Sequence, residues 1–189
     1  MGDVVRPALA SPPARRLPAN AMPSRPSTIA TAKRVSYAHG YLELGMVNEA
    51  SAELELIVGE DRLTLPVLLA HVELHMEAKN WEMLVTVSKS VAQSDPTQER
   101  AWIGWAYGLR CLERSAEART VLLEAEPHHG KTCALLHYNL ACYECLLGDL
   151  AAAKARLRRA CRLGGKQFKA MALEDEDLKP MREEIAAMK

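Results

Sequence analysis

Two cysteines three residues apart, Cys142 and Cys145, lie in the stretch HYNLACYECLLGDL, and Cys133 and His137 precede them. Thiolate and imidazole groups are the ligands that zinc prefers, and a CxxC pair can also act as a redox dithiol. Both kinds of chemistry require the side chains to converge on one point. The elements that carry these residues therefore decide how the cysteines are interpreted.

The residues around the CxxC pair predict one continuous helix. On a helix Cys142 and Cys145 are separated by about 60°, whereas His137 lies roughly 140° away from Cys142 and points into the core. Cys133 precedes the helix, and the pair lies mid-helix beside Glu144, whereas redox dithiols normally lie at a helix N-terminus. We therefore predict no metal site and no cofactor. The alternative is a thiol- or metal-dependent protein that uses Cys142 and Cys145.

The composition excludes several classes of protein. Lysine plus arginine and aspartate plus glutamate both number 24, so no net charge favours nucleic acid or an anionic membrane as a partner. Hydrophobic residues make up 49% of the chain and aromatic residues 5%, which is typical of an all-α protein. No apolar run reaches the roughly 18 residues of a membrane span. Phosphate-binding, dinucleotide-binding, serine-hydrolase and zinc-protease motifs are absent from the sequence, so we predict no catalytic residues and no enzyme.

The N-terminal 28 residues differ from the rest of the chain. They contain six of the ten prolines and no hydrophobic block, so we predict a disordered tail over residues 1–28 and no export signal. The chain has five cysteines, an odd number. Without an export signal, these thiols indicate a reducing, cytoplasmic location.

Four short helix breaks recur at a nearly constant interval. They are Gly45-Met46, Lys79-Asn80, Glu113-Arg114 and Gly148-Asp149, separated by 34, 34 and 35 residues. Small or aliphatic residues lie five positions after each break's first member: Ala50, Leu84, Ala118 and Ala153. Apolar residues recur at helical spacing on both sides of each break, which predicts a pair of helices in every unit.

The sequence resembles the tetratricopeptide repeat (TPR) family, whose repeats of about 34 residues each form a helix–turn–helix. The residues that carry the resemblance include Tyr37-Ala38, Tyr41, Gly45, Ala50, Trp102, Ala106, Ala118, Leu140-Ala141, Gly148-Asp149 and Ala153. The second unit matches least well, since Ser88 lies where a large apolar residue is expected. The resemblance implies an all-α fold, an α-α superhelix (TPR solenoid) of about four repeats plus a C-terminal capping helix. We place the repeat domain at 29–165, with repeats at 31–63, 65–97, 99–131 and 134–165, and the capping helix within 166–189.

Several local features refine these limits. Pro96 and Pro127 are predicted to end second helices, and His128-His129 is predicted to lie in an exposed turn between repeats. A final helix is predicted to begin near Asp175 or Asp177 and to bury an apolar stripe of Met181, Ile185 and Met188. Residues 154–169 carry seven cations and no acid. We interpret them as a solvated helix face, with a patch for an acidic partner as the alternative.

The resemblance also implies a concave wall formed by the first helix of each repeat. In the family this wall usually binds a peptide or a partner helix. The predicted groove residues are Val35, His39, Leu42, Leu69, Glu73, Met76, Arg100, Ile103, Tyr107, Arg110, Leu135, Tyr138, Asn139, Cys142, Cys145 and Leu146.

We therefore predict a non-enzymatic protein–protein interaction module, an adaptor, scaffold or chaperone-like protein, that binds a polypeptide segment. Its size is similar to that of the TPR chaperones of bacterial secretion systems. The competing interpretation is that the N-terminal tail or the C-terminal helix covers some of the groove. The sequence does not indicate an oligomeric state.

Overall fold

A computed structural model describes residues 29–188, and within that range the chain is helical and contains no strand. The disorder predicted for residues 1–28 concerns a segment outside the described residues. Four antiparallel helix pairs follow one another: α1 Thr31–Glu43 with α2 Val47–Glu55, α3 Leu65–Glu77 with α4 Trp81–Ser94, α5 Glu99–Cys111 with α6 Ser115–His129, and α7 Ala134–Leu146 with α8 Leu150–Gly164. A short 3₁₀ helix, Gly59–Leu63, links the first two pairs. The all-α solenoid predicted from the sequence is confirmed.

The four predicted helix breaks all adopt the same turn conformation. Gly45, Lys79, Glu113 and Gly148 all have positive φ, at 71°, 54°, 62° and 85°. At each, the following backbone N–H donates to a carbonyl five residues earlier, as from Met46 to Tyr41 at 2.8 Å and from Asp149 to Glu144 at 2.9 Å. This is the Schellman motif, which satisfies the last carbonyls of the first helix. The side chains of Asn80 and Asp149 then cap the second helices of their pairs by accepting from the N–H groups of Met83 and Ala152.

Small residues allow the helices to approach closely. Ala38, Ala50, Ala106, Ala118 and Ala153 are all fully buried. A Cβ added at Gly104 would lie 2.8 Å from Ser88 Oγ, and one at Gly108 would lie 2.8 Å from a methyl group of Val85. Position 88, where the repeat pattern predicts a large apolar residue, therefore carries a serine because helix α5 leaves no room for a larger side chain.

Two predictions about the end of α6 are wrong. Pro127 lies inside α6, which continues to His129. A proline in the last turn removes only one helical hydrogen bond, and Gly130 N–H still donates to the Glu126 carbonyl at 2.8 Å. His129 is buried, and its Nε2 lies 3.0 Å from the Pro96 carbonyl oxygen of the preceding repeat.

The chain beyond Gly165 forms three short elements where one longer helix was predicted. These are α9 Gln167–Glu174, a 3₁₀ helix Glu176–Met181 and α10 Arg182–Ala187. The Asp175 side chain accepts from the Asp177 N–H and caps the 3₁₀ helix, and Pro180 cannot donate within it. Leu178, Met181, Ile185 and Met188 are buried in the main core. We call residues 175–188 the C-terminal segment.

Candidate functional site: the concave groove

The first helices α1, α3, α5 and α7 lie side by side and line a groove. Its open part is a cavity of about 600 Å³, which we call the acidic groove. Its apolar lining consists of Leu42, Val72, Met76, Ile103 and Leu135, and four carboxylates come from Glu43, Glu73, Glu77 and Glu99. The open part can therefore bury aliphatic side chains beside negative charge.

The charges of the acidic groove are only partly balanced. Glu73 contacts His39 Nδ1 at 2.7 Å and also pairs with the Arg100 guanidinium. Glu43 and Glu77 have no cation within salt-bridge distance among residues 29–188. Exposed surface pairs contribute little stability. The excess of carboxylates therefore contributes little to stability and leaves this surface negatively charged.

A second cavity of about 330 Å³ continues from the acidic groove. The two cavities share Met76, Ile103 and Leu135. Beyond them the concave wall contributes polar and aromatic residues, and α9 and the C-terminal segment contribute the rest: Tyr107, Arg110, Tyr138, Asn139, Cys142 and Tyr143 from the wall, and Met171, Asp175 and Asp177 from the end of the chain. Because residues of α9 and of the C-terminal segment form the wall at the end away from the acidic groove, we call the second cavity the blind pocket.

Polar contacts hold the C-terminal segment against the concave wall. Arg110 Nε donates to Asp177 Oδ2 at 2.6 Å, and a terminal nitrogen of the same guanidinium donates to the other oxygen. The pKa of Arg110 is raised by this bidentate bond with Asp177, which keeps the arginine charged. The Tyr138 hydroxyl donates to Asp175 Oδ2 at 2.7 Å. Two residues of the wall thus bind two aspartates of the segment.

The cysteines are buried thiols in this arrangement. Cys142 is 4% exposed, and its pKa is raised strongly by burial and by the charges of Asp175 and Asp177. Burial also raises the pKa of Cys145, and it raises the pKa of Cys133 to about 11. Since the thiolate is the reactive form, these groups are poor nucleophiles near neutral pH.

The four ligand candidates of the sequence do not converge. Cys133 caps α7, with its Sγ accepting from the Leu136 N–H at 3.2 Å, and His137 Nε2 lies 2.7 Å from the Gly130 carbonyl oxygen. The structure instead brings Cys142 Sγ and carboxylate oxygens of Asp175 and Asp177 within 4.8 Å of one another. Sequence reasoning missed this cluster because both aspartates come from a distant segment. Arg110 already supplies a positive charge there, and both oxygens of Asp177 are engaged by it.

The predicted groove residues fall into three groups. Those that line the acidic groove are His39, Leu42, Glu73, Met76, Arg100, Ile103 and Leu135. Those that line the blind pocket without the acidic groove are Tyr107, Arg110, Tyr138, Asn139 and Cys142. Those that line neither cavity are Val35, Leu69, Cys145 and Leu146. Val35 and Cys145 are buried in the core, which leaves them unavailable to a partner.

The basic stretch of α8 is used largely within the chain. Arg156 makes two hydrogen bonds to the Glu126 carboxylate, at 2.5 and 3.0 Å, and Arg159 donates to the Gly130 carbonyl. Lys154 pairs with Glu184, and Lys169 donates to the Met188 carbonyl. These contacts join repeats and tie down the C-terminal segment, in keeping with a structural role for this face.

Comparisons with solved structures place the fold in the class of TPR-like solenoids. No protein-family model and no curated protein matches the chain. TTC0263, a thermophilic TPR protein of Thermus thermophilus, superposes with a TM-score of 0.64 at 17% identity, over 84% of this chain and 100% of that one. A MamA structure designated AMB-1 has a TM-score of 0.57 at 16% identity, covering 71% of this chain and 73% of its own. At these identities the likeness establishes the fold. Within residues 29–188, no helix has both the length and the apolar character to cross a membrane.

Proposed function

We propose that this protein is a non-enzymatic interaction module, an adaptor or scaffold, that binds a polypeptide segment in its concave groove. The observation that carries the proposal is the acidic groove itself. It joins four first helices and presents aliphatic side chains beside carboxylates. The proposal includes a cytoplasmic setting, in which the thiols stay reduced.

The apolar lining supports a polypeptide as the ligand. Leu135 is 39% exposed at the junction of the two cavities, and Tyr107 is 39% exposed nearby. Large apolar side chains that stay accessible at the centre of a concave surface are typical anchors for a partner's side chains. An extended or helical segment with aliphatic residues fits such a surface.

The chemistry of the groove supports binding without catalysis. The Cys142 thiol, which lines the blind pocket, is kept protonated by burial and by the neighbouring carboxylates of Asp175 and Asp177, which raise its pKa. His39 contacts a carboxylate that Arg100 also binds, and within the described part of the chain no serine or cysteine nucleophile lines the acidic groove. Those groups therefore have roles in shaping and charging the surface.

A random-peptide phage library selected on the purified protein tests the proposal. We expect peptides with aliphatic residues to be enriched on the wild type and lost on Leu135→Glu, which places a charge at the centre of the groove. Leu163→Glu is the matched control, because Leu163 is 40% exposed and lines neither cavity. Equal recovery on both variants, with unchanged circular dichroism, would show that the groove is not the binding surface.

A further inference from the structure

The closed end of the blind pocket contains a carboxylate with no cation of its own. Asp177 has both oxygens bound by Arg110. Asp175 Oδ2 receives only the Tyr138 hydroxyl and, at 3.6 Å, the Cys142 thiol, while Oδ1 accepts the Asp177 N–H. Among residues 29–188, no lysine, arginine or histidine lies within salt-bridge distance of Asp175. Two carboxylates and one guanidinium leave this part of the pocket with an excess of one negative charge.

A second observation at the same place indicates a missing partner. The Tyr143 side chain is 2% exposed and lines the blind pocket, and its hydroxyl has no hydrogen-bond partner among the described residues. A buried hydroxyl without a partner costs free energy. A donor or acceptor of a bound ligand that came within hydrogen-bond distance of this hydroxyl would satisfy it.

The approach to Asp175 suits a long aliphatic stem that ends in a positive charge. Met76, Ile103 and Leu135 line the entrance that the pocket shares with the acidic groove. The rings of Tyr107 and Tyr138 follow, and the faces of such rings attract cations. Lysine and arginine combine an apolar stem with a charged tip, so both parts would find matching surroundings.

We propose that the blind pocket binds a lysine or arginine side chain of the polypeptide held in the groove. The side chain enters from the acidic groove, passes the three aliphatic residues and donates to Asp175 at the closed end. The carboxylates of Glu43 and Glu77 attract further basic residues of the same segment. This inference rests on the proposed function and adds the chemistry that selects the partner.

The phage selection described above also tests the inference when it is repeated on Asp175→Asn. Asparagine keeps one oxygen, which can accept the capping Asp177 N–H, and its NH2 group can donate to the Tyr138 hydroxyl in place of the bond that Asp175 Oδ2 accepts, so this variant removes the charge while both contacts can be kept. We expect wild-type selection to enrich a lysine or arginine at one position beside aliphatic residues, and Asp175→Asn to lose that preference. Aliphatic peptides without a preferred basic residue would overturn the inference and leave the proposed function standing. If no peptide were recovered, both would fail.

Binding of a selected peptide gives the quantitative test. Fluorescence anisotropy compares the peptide with its norleucine variant, which keeps the stem of lysine and lacks the charge. We expect the wild type to bind the charged peptide about tenfold or more tightly, because charge-assisted hydrogen bonds are the strong ones. Asp175→Asn should bind the two peptides alike. Equal affinities on the wild type would overturn the inference.

Two further arms separate this inference from its competitors. Tyr143→Phe removes the unpartnered hydroxyl with little change of shape, and we expect it to weaken the charged peptide a few-fold and the norleucine peptide not at all. Titration with Zn²⁺ addresses the Cys142, Asp175 and Asp177 cluster. Stoichiometric Zn²⁺ binding that is lost in Asp175→Asn and blocks the charged peptide would make the pocket a metal site and overturn the inference.

Discussion

The first half of the solenoid, helices α1–α4, and the second half, α5–α10, share the same repeat and differ in what covers the concave face. The acidic groove is lined mostly by α1 and α3 of the first half, and a small core cluster of residues from Val35 to Leu74 supports these helices. In the second half the C-terminal segment lies against the wall, and a large cluster begins at Val91 in α4 and continues to Met188. The same repeat can therefore leave its concave face open or have that face covered by a later segment of the same chain, depending on its neighbours.

The difference has a physical cause at the end of the stack. A terminal repeat has no following repeat to cover its apolar face, so solenoids need a cap with a polar outer side. Here the cap buries Leu178, Met181 and Ile185 and turns two aspartates towards the wall. The same segment thus stabilises the last repeat and closes the groove.

The largest effect on stability is expected from a substitution that leaves a cavity in the core beneath the C-terminal segment. Leu178→Ala removes a fully buried side chain and should lower the free energy of unfolding by about 2–5 kcal/mol. Leu54→Ala, equally buried in the first half, should cost a similar amount but act locally. Urea denaturation with amide hydrogen exchange measures both. If Leu54→Ala increased exchange in α7 and α8 as much as in α1 and α2, the two halves would be one cooperative unit and the comparison would fail.

A smaller effect is expected from the ion pair that joins the wall to the segment. Arg110→Met or Asp177→Asn alone should destabilise the protein by about 1–3 kcal/mol, because each leaves a partly buried charge or donor without its partner. The double variant should recover part of that loss, and the double-mutant cycle gives the coupling. Arg114 and Glu117 form an exposed pair that serves as control, and we expect no coupling there. Additive losses at Arg110 and Asp177 would show that the pair does not hold the segment.

Titration of buried histidines offers a test by pH. Burial, together with the charges of Arg159 and Arg156, lowers the pKa of His137 below its ordinary 6.5, so the folded protein holds this ring neutral. Protonation therefore favours the unfolded chain, and stability is complete above about pH 6.5 and falls as the pH drops below it. Below about pH 6.5 the loss of unfolding free energy from one such group is at most about 1.4 kcal/mol per pH unit.

The control for this titration lies in the other half. Burial also lowers the pKa of His71 in α3. Burial lowers the pKa of His75 in the same helix as well, so the control variant replaces both histidines. Denaturation midpoints should depend less on pH in His137→Gln and in the double variant His71→Gln/His75→Gln, with the loss of protection at low pH confined to the half that keeps its histidines. An unchanged pH dependence in His137→Gln would contradict the assignment.

The smallest effect, of opposite sign, is expected at the junction of the halves. Ser88 is fully buried, and its hydroxyl has no hydrogen-bond partner within residues 29–188. Ser88→Ala should raise stability by up to about 1 kcal/mol, since it removes a buried polar group without adding volume. Ser88→Leu should destabilise, because Gly104 packs directly against this position. A thermal melt of the two variants distinguishes these outcomes, and a loss of stability in Ser88→Ala would contradict the unpartnered state of this hydroxyl.

The sequence predicted the repeats well because their signals are local. The breaks at Gly45, Lys79, Glu113 and Gly148 fell on the turns, and the buried alanines kept the predicted register. The closed end of the groove was not predictable in the same way. Arg110 and Asp177 are 67 residues apart, and neither the spacing nor the composition of the final stretch indicates which wall residues its aspartates contact. The end of α6 was missed because a proline in a last turn costs little.

The four repeated turns have a consequence for how the chain can be recognised. Two of the residues with positive φ are glycines, and the other two are a lysine and a glutamate. A side chain in this conformation costs roughly 1 kcal/mol, yet all four turns make the same pair of backbone hydrogen bonds. A positive φ recurs every 34 or 35 residues, whereas the type of residue that adopts it differs from turn to turn. Alignment by conformation therefore finds four equivalent positions where alignment by glycine finds two.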